Sequence, residues 1–486
     1  VPSDLEGTLF RALPGSVNIG EQKCKHWLDG DGYIMAFTFQ EGRVHFKSKY
    51  VETEERQEEQ RAGKVLYRNT FGTQPEGLNA GNVVLKNPAN TNVVLWGDRL
   101  FALWEAGCPY ELDPATLETL GKSSMDGWVA VGKTPTSSGS KAVDQALGFG
   151  DAHTAHPHVV ADKDGSQRLV AWKWNSVMDP LTATSAVQAE FKEFDEQWNP
   201  ISSRELVLAK SPMPPHDFAV TASSYVLTVP PMNLNVLPYL LGIAGPAECV
   251  SMSKSPMRVV VCPRDSPDAP EMVVEDEAVY YIHYANAFDD GDDIVVVGSA
   301  WGPEDVQRLA DQPRNGILGS WDDVMQGNFT APVTSLWQHR INRKTGCVQR
   351  RLLHQRSMDH PRVNPKHYGR PSQYVYFNGC VSPEAHRSGP PQSWTRLDMA
   401  TGEAQDLYLG SRIFTEELIF VPREDSNEQE DSGYLLGMLY CAERNRSALA
   451  VLDASDFRRG PVCTIWLGTF MPHGLHGFFT PQIYQQ

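Results

Sequence analysis

The chain has no basic cluster anywhere along its 486 residues, and its formal net charge is −17. Phosphate recognition needs a basic face, so nucleic acid is not expected as a partner. An acidic balance implies mainly a soluble surface. Closely spaced cysteines are missing too. Cys24, Cys108, Cys249, Cys262, Cys347, Cys380, Cys441 and Cys463 stand far apart, with no CxxC pair. That argues against a cysteine-bound zinc or a disulfide framework and for reduced, mostly buried thiols. No apolar run approaches the ~18–20 residues needed to span a bilayer, and no signal peptide opens the chain. The first residue is Val1 rather than Met, which leaves room for a removed targeting segment. The expected location is the cytoplasm or a plastid, for a soluble or peripherally membrane-associated protein.

What is abundant is β texture. Short runs rich in Val, Phe, Tyr and Thr alternate with Gly, Asp, Asn and Pro clusters, the signature of strands and turns. Ala36–Phe39 and Val44–Val51 flank Gln40-Glu41-Gly42 and read as a hairpin. An apolar residue followed by Asp or Asn and a short turn recurs at Leu112-Asp113, Phe194-Asp195, Ile341-Asn342 and Leu397-Asp398. The last two continue into Thr345-Gly346 and Thr401-Gly402, a tight-turn signal. Degenerate hairpins repeated along a long all-β chain predict propeller blades. Seven blades would take roughly 69 residues each, enough for four strands and long loops or short helices capping one face. With no composition break long enough for a linker, residues 1–486 are read as a single domain. Glu52–Ala62 is charged with no apolar face, which predicts a solvated helix or loop, and Lys122–Leu147 reads as a surface loop. Pro230–Gly245 is apolar and broken by prolines. It reads either as an ordinary buried loop or as an exposed patch that touches a membrane or lines a tunnel mouth.

Among the 14 histidines, four stand at intervals near whole blades. His156 and His216 are 60 residues apart, His216 and His283 are 67 apart, and His283 and His476 are 193 apart. Inner strands of a propeller converge on its axis, so imidazoles repeated at blade length can meet there. None of these follows the HExxH spacing of a zinc protease, and imidazole suits zinc, copper, iron and nickel alike. Four neutral imidazoles leave the charge of a dication uncompensated. Carboxylates accepting from the distal ring N–H would restore the balance and fix each tautomer, which predicts about three of them nearby.

At these residues the chain resembles the carotenoid cleavage oxygenases. Glu6-Gly7-Thr8-Leu9-Phe10-Arg11 and His26-Trp27-Leu28-Asp29-Gly30-Asp31-Gly32 are similar to that family's entry strand and its W-x-D-G-D-G block. Asn90-Thr91-Asn92-Val93, Leu103-Trp104-Glu105 and Leu112-Asp113-Pro114 resemble the stretches that follow. The A-H-P, H-D-F, H-x-x-N-A and H-G motifs fall in family order at His156, His216, His283 and His476. The resemblance implies a seven-bladed β-propeller in which these four histidines hold a non-haem Fe(2+). It implies that Glu105 and Glu417 hydrogen-bond ligand histidines and that Thr91 lies beside the otherwise open coordination position. His473 matches a variable position and is left as a non-ligand. The family's third such glutamate lies in an E-F-P-R block. Here Met358-Asp359-His360-Pro361-Arg362 stands instead, so the shorter Asp359 is expected to reach its histidine only through water or a backbone shift.

The activity implied is oxidative cleavage of a C=C bond of a hydrophobic polyene, a carotenoid or apocarotenoid, by O2, giving two carbonyl products. No acid or base beyond the metal ligands is required. Stilbene-cleaving members carry a lysine where Trp104 stands, although Tyr67 matches their phenol-gripping tyrosine. Both residues are expected along the substrate tunnel, and the loss of the lysine favours a polyene over a resveratrol-type stilbene. A non-enzymatic propeller that binds a carotenoid or a partner is the remaining reading, supported only by the Asp359-His360 departure.

Overall fold

Among the described residues, seven antiparallel sheets of four or five strands follow one another along the chain in the computed structural model. The structure describes residues 1–162, 165–178, 185–209, 211, 213–266, 268–311, 331–381, 388–423 and 429–485. Blade one is closed by both ends of the chain. Gly477–Thr480 pairs with Gly7–Ser16, which pairs with Asp31–Gln40 and then Arg43–Tyr50. Blades two to seven begin at Asn92–Trp96, Ala152–His153, Ala219–Val220, Tyr280–Asp290, Met358–Arg362 and Ile413–Pro422. First strands of successive blades touch around the ring from blade four through blade seven to Gly477–Thr480 and on to Asn92–Trp96. These strands therefore surround the axis.

The core is divided among the blade interfaces. Seven clusters of buried apolar side chains each join two neighbouring blades. Trp172, Phe191, Phe218 and Tyr225 fill the space between blades three and four. Leu9 and Phe37 meet Leu436 and Leu449 where the seventh blade closes on the first. A blade covered on both faces needs apolar side chains at consecutive positions rather than alternate ones. Ile294-Val295-Val296-Val297 in the second strand of blade five meets that need and is fully buried.

The recurring Asp or Asn marks one place in the blade, the turn from third to fourth strand. Asp113 Oδ1 accepts from the Thr116 amide, and Asp195 Oδ1 from those of Gln197 and Asn199. Asn342 and Asp398 serve Thr345 and Thr401 in the same way. An Asx side chain that bonds its own backbone two or three residues on shapes a turn. The first hairpin lies at Asp31–Gln40 and Arg43–Tyr50, turning on Glu41 and Gly42 at φ 51 and 70. Two positive φ values are the requirement of the tight two-residue hairpin turn.

Glu54–Ala62 is a helix, but its charges are not simply solvated. Glu55, Arg56 and Glu59 are buried, paired with Lys122, Asp31 and Lys86. Within Lys122–Leu147 the chain forms a loop, a short strand and the helix Lys141–Leu147. Pro230–Gly245 is not a buried loop: Leu237, Leu240, Leu241 and Ile243 are 55–67% exposed. No helix among the described residues is long and apolar enough to cross a membrane.

Candidate metal centre

Each blade sends a side chain to the axis, either at a break in its ladder or just beyond a strand end. In blade three the first strand is split, with Ala152–His153 and His158–Ala161 both pairing to Gln167–Met178, and His156 sits in the gap. His216 precedes the short first strand of blade four, and His476 immediately precedes Gly477–Thr480. In blade five the ladder shifts register on both sides of His283 and Tyr284. The same happens between Asp359 and Arg362 in blade six, and between Thr415 and Leu418 around Glu417 in blade seven. Blade two contributes Glu105, just past Arg99–Leu103. A bulge re-aims a side chain out of the regular alternation, and here the re-aimed groups point to one place.

The four histidines predicted from the sequence come together. Nε2 of His156 lies 3.1 Å from Nε2 of His216, which lies 3.3 Å from Nε2 of His283. The His476 ring is centred 4.7 Å from both His156 and His283. Three of the distal nitrogens carry carboxylates. Nδ1 of His216 bonds to Glu105, that of His283 to Asp359 Oδ1 at 2.7 Å, and that of His476 to Glu417 Oε1 at 3.0 Å. Of the two expected routes, water or a backbone shift, the second is the one seen: Asp359 reaches its histidine directly. The irregular backbone between Asp359 and Arg362 brings the shorter side chain close, and Ser299 Oγ and the His360 amide also donate to Asp359 Oδ1, at 2.7 and 2.8 Å.

Sequence reading missed the cations behind Glu417. Its Oε2 accepts from Arg11 Nη1 at 2.9 Å and from the Gly477 amide at 3.0 Å, while Arg362 Nε and Nη2 hold Oε1 at 2.8 and 2.7 Å. Arg11 also pairs with Glu416 at 3.0 Å. A single arginine inside the apolar strand Gly7–Ser16 was the available signal. Both carboxylate oxygens of Glu417 are therefore fixed, and His476 is held in one tautomer and one orientation.

The electrostatics favour a cation. Burial pushes His156 and His476 well below the usual histidine value, and the neighbouring rings push them the same way. Burial would also lower His216, but the Glu105 carboxylate raises it to about 9. Glu105 resists the upward pull of burial because the His216 ring holds it down. Once a cation displaces the extra proton that Glu105 keeps on His216, and with Nδ1 committed as donor to a carboxylate, the Nε2 atoms of His216 and His283 present lone pairs to a common point. Lone pairs facing one another across 3.1–3.3 Å repel unless something positive lies between them. Metal–imidazole bonds of about 2.0–2.1 Å, as for zinc, place two adjacent ligand nitrogens about 3 Å apart at right angles. The donor set therefore fits a divalent ion, whose charge the three carboxylates offset. His156, His216 and His283 form one group able to hold a metal, and His283, His360 and His476 form another.

A cavity of about 480 Å³ opens onto the rings, bordered by His216, His283, His360 and His476. Its walls are mainly apolar and include Trp27, Phe71, Trp104, Met232, Tyr280 and Trp301. Thr91 lines it, with its hydroxyl donating to Asn90 Oδ1 at 3.2 Å. Trp104 lines this cavity; Tyr67 does not. That side chain is 7% exposed, lies outside the cavity wall, and its hydroxyl is taken by Glu58 beside the helix Glu54–Ala62. His473 borders the cavity, packed edge-on against Trp27, with Glu416 3.9 Å from its Nδ1.

The family model described as Retinal pigment epithelial membrane protein matches residues 1–481. The apocarotenoid-15,15'-oxygenase of Synechocystis sp. is 34% identical, over 98% of this chain and 91% of its own length. Rice (Oryza sativa subsp. japonica) carotenoid cleavage dioxygenase 7, chloroplastic, is 28% identical, over 99% of this chain and 86% of its own. The crystal structure of cobalt-substituted Synechocystis apocarotenoid oxygenase superposes with a TM-score of 0.86 at 32% identity, covering 99% of this chain and 93% of that one.

Proposed function

The chain belongs to the family of carotenoid oxygenases that includes the retinal pigment epithelial protein, and from that premise we propose that it is a non-haem Fe(II) dioxygenase. It adds O2 across one C=C bond of a carotenoid or apocarotenoid and releases two carbonyl products. His156, His216, His283 and His476 hold the ferrous ion. The single observation that carries this reading is the convergence of their rings, with carboxylates on the distal nitrogens of three. The non-enzymatic reading rested on the Asp359-His360 departure, and the direct Asp359–His283 contact speaks against its Asp359 half.

The bound ion supplies the redox chemistry that lets O2 react with a double bond. The remaining work falls to the chain. Glu105, Asp359 and Glu417 keep each Nδ1 protonated, so that each Nε2 faces inward as a neutral donor. Arg11 and Arg362 keep Glu417 from rotating away. The apolar wall excludes water and grips a rigid hydrocarbon chain, so the register of that chain sets which bond meets the metal. Thr91 lines the cavity that opens onto the rings and would narrow the approach to the metal.

Two further features of the cavity support the choice of substrate. No Lys or Arg lines it among the described residues, so no cation is offered to a phenolic oxygen. Tyr67, the other stilbene-reading residue, is bonded elsewhere. The exposed apolar segment Pro230–Gly245 leads into Pro246, Ala247 and Val250 on the cavity wall. This arrangement supports peripheral contact with a membrane, from which an insoluble polyene is drawn.

The test is product analysis by mass spectrometry after incubation with a panel of carotenoids, apocarotenoids and resveratrol-type stilbenes under O2, alongside metal analysis. The expected result is about one iron per chain and paired carbonyl products from a polyene, with His216→Ala losing iron and turnover together. Cleavage of stilbenes alone, or full turnover in the His216 variant, would overturn it.

A further inference from the structure

His360 stands where the family's E-F-P-R block has phenylalanine, and the sequence alone favours a packed or surface-bonded histidine there over one that enters the site. Its placement is unlike that of a packed core histidine. It lies inside the register break of Met358–Arg362, with a backbone φ of 52. Residues with side chains occupy that left-handed region sparingly, and positions held there cluster at functional sites. The imidazole is centred 5.1 Å from His283 and 4.9 Å from His476. Those separations match the 4.6–5.1 Å found among the four histidines themselves. One of its nitrogens lies within 4.8 Å of a ring nitrogen of both His283 and His476. Its Nδ1 is buried with no hydrogen-bond partner. The ring borders the apolar cavity on one side and, with His156, His283 and His476, a small polar pocket on the other.

A buried imidazole nitrogen without a partner calls for an explanation, since the great majority of buried polar atoms are satisfied. The shorter carboxylate beside it belongs to the same arrangement. Asp359 Oδ1 accepts both from His283 and from the His360 amide, so the backbone that lets Asp359 reach His283 is the backbone that places His360. The two departures from the family block are thus one structural change.

We propose that His360 is a fifth imidazole of the metal centre, taking one of the two positions that four histidines leave open and leaving one for O2. This rests on the four-histidine reading of the site. A five-nitrogen set of neutral donors holds the ion more firmly, and it permits only one exogenous ligand. Substrate then meets the ion across the cavity without binding it directly.

The test uses the full chain loaded with Co(II), a spectroscopic stand-in for the ferrous ion. In water, the paramagnetic proton spectrum shows one strongly shifted exchangeable N–H signal for each bound imidazole. Five such signals are expected. His360→Asn keeps a side chain that tolerates the positive φ; it should lose one signal and weaken Co(II) binding at least tenfold in a competitive chelator titration. Four signals in the unaltered protein, or an unchanged spectrum and affinity in the Asn variant, would reject His360 as a ligand while leaving the other four in place. Stoichiometric Co(II) retained by His216→Ala or His156→Ala would instead overturn the four-histidine reading and this proposal with it. The count in the unaltered chain does not depend on how any variant folds.

Discussion

Asp359 Oδ1 lies 2.7 Å from Nδ1 of His283, a full hydrogen bond from a side chain one methylene shorter than a glutamate. The contact is possible because the strand bearing Asp359 breaks register there, and because Ser299 and the His360 amide hold the same oxygen. Removing the carboxylate should free the His283 ring to rotate. Asp359→Ala is expected to weaken metal binding by about 10–100-fold, the usual cost of losing such a partner. Asp359→Asn, which keeps an acceptor but not the charge, should fall between. Competitive metal titration checks the order. An alanine variant that binds as tightly as the parent would show that the ring needs no such anchor.

Much of the blade plan is legible in the sequence, and the reason is local. Asx side chains that bond their own turns recur because each blade needs the same corner, so Asp113, Asp195, Asn342 and Asp398 leave a repeat in the sequence. The four histidines were legible because the A-H-P, H-D-F, H-x-x-N-A and H-G motifs resemble the family's in order, with blade-length intervals in agreement. What stayed hidden depends on contacts between distant segments. Arg11 and Glu417 are 406 residues apart, and no local pattern links them. Glu54–Ala62 looked solvated because its buried face is charged, and its partners Asp31, Lys86 and Lys122 come from three other segments. Tyr67 matched a family position, yet its hydroxyl turns to Glu58, nine residues away, a choice of side-chain direction that no motif encodes.

Metal affinity should depend on pH through His216. Glu105 raises that imidazole to about 9 in the metal-free protein, so at neutral pH it carries a proton that a cation at Nε2 must displace. Ligand deprotonation makes metal binding release protons. The apparent association constant is therefore expected to rise about tenfold per pH unit up to about 9 and then level off. Glu105→Gln removes the charge that raises His216, and should move the plateau to lower pH while weakening binding above it. Calorimetry in buffers of different ionisation enthalpy counts the released proton. A pH-independent affinity between 7 and 9 would show that His216 is already neutral.

Lys86 provides a stability test well away from the metal. Its ammonium is fully buried between Asp31 Oδ1 at 2.5 Å and Glu59 Oε2 at 2.6 Å. Burial opposes its charge, yet the two carboxylates outweigh burial and raise its basicity above the ordinary 10.5. A raised folded-state value contributes stability that is complete below 10.5 and is lost as pH climbs through the higher value. Lys86→Met leaves two buried carboxylates with one guanidinium, Arg56, on Asp31. The expected cost is about 3–5 kcal/mol, that of stranding a buried charge. Denaturant midpoints at pH 8 should show this loss with metal content unchanged. Above pH 10.5 the gap between the two proteins should narrow, because the parent is then losing what the variant never had.

The exposed apolar segment makes a prediction about membranes that charge alone would not. With a net charge of −17, the protein gains nothing from anionic lipid, so any docking must come from burying side chains. Leu237, Leu240, Leu241 and Ile243 are 55–67% exposed. Even at about 1 kcal/mol for each half-buried side chain, the four together are worth about a thousandfold in vesicle affinity. Replacing all four with serine should abolish co-sedimentation with zwitterionic vesicles. Because none belongs to the buried clusters between blades, melting temperature and metal content should stay put. Turnover of a polyene presented in vesicles should fall, while turnover of the same polyene in detergent micelles should not, since only the first requires extraction from a bilayer. Undiminished vesicle binding in the quadruple variant would leave the patch without a membrane role, and binding strengthened by anionic lipid would point to a different, basic surface.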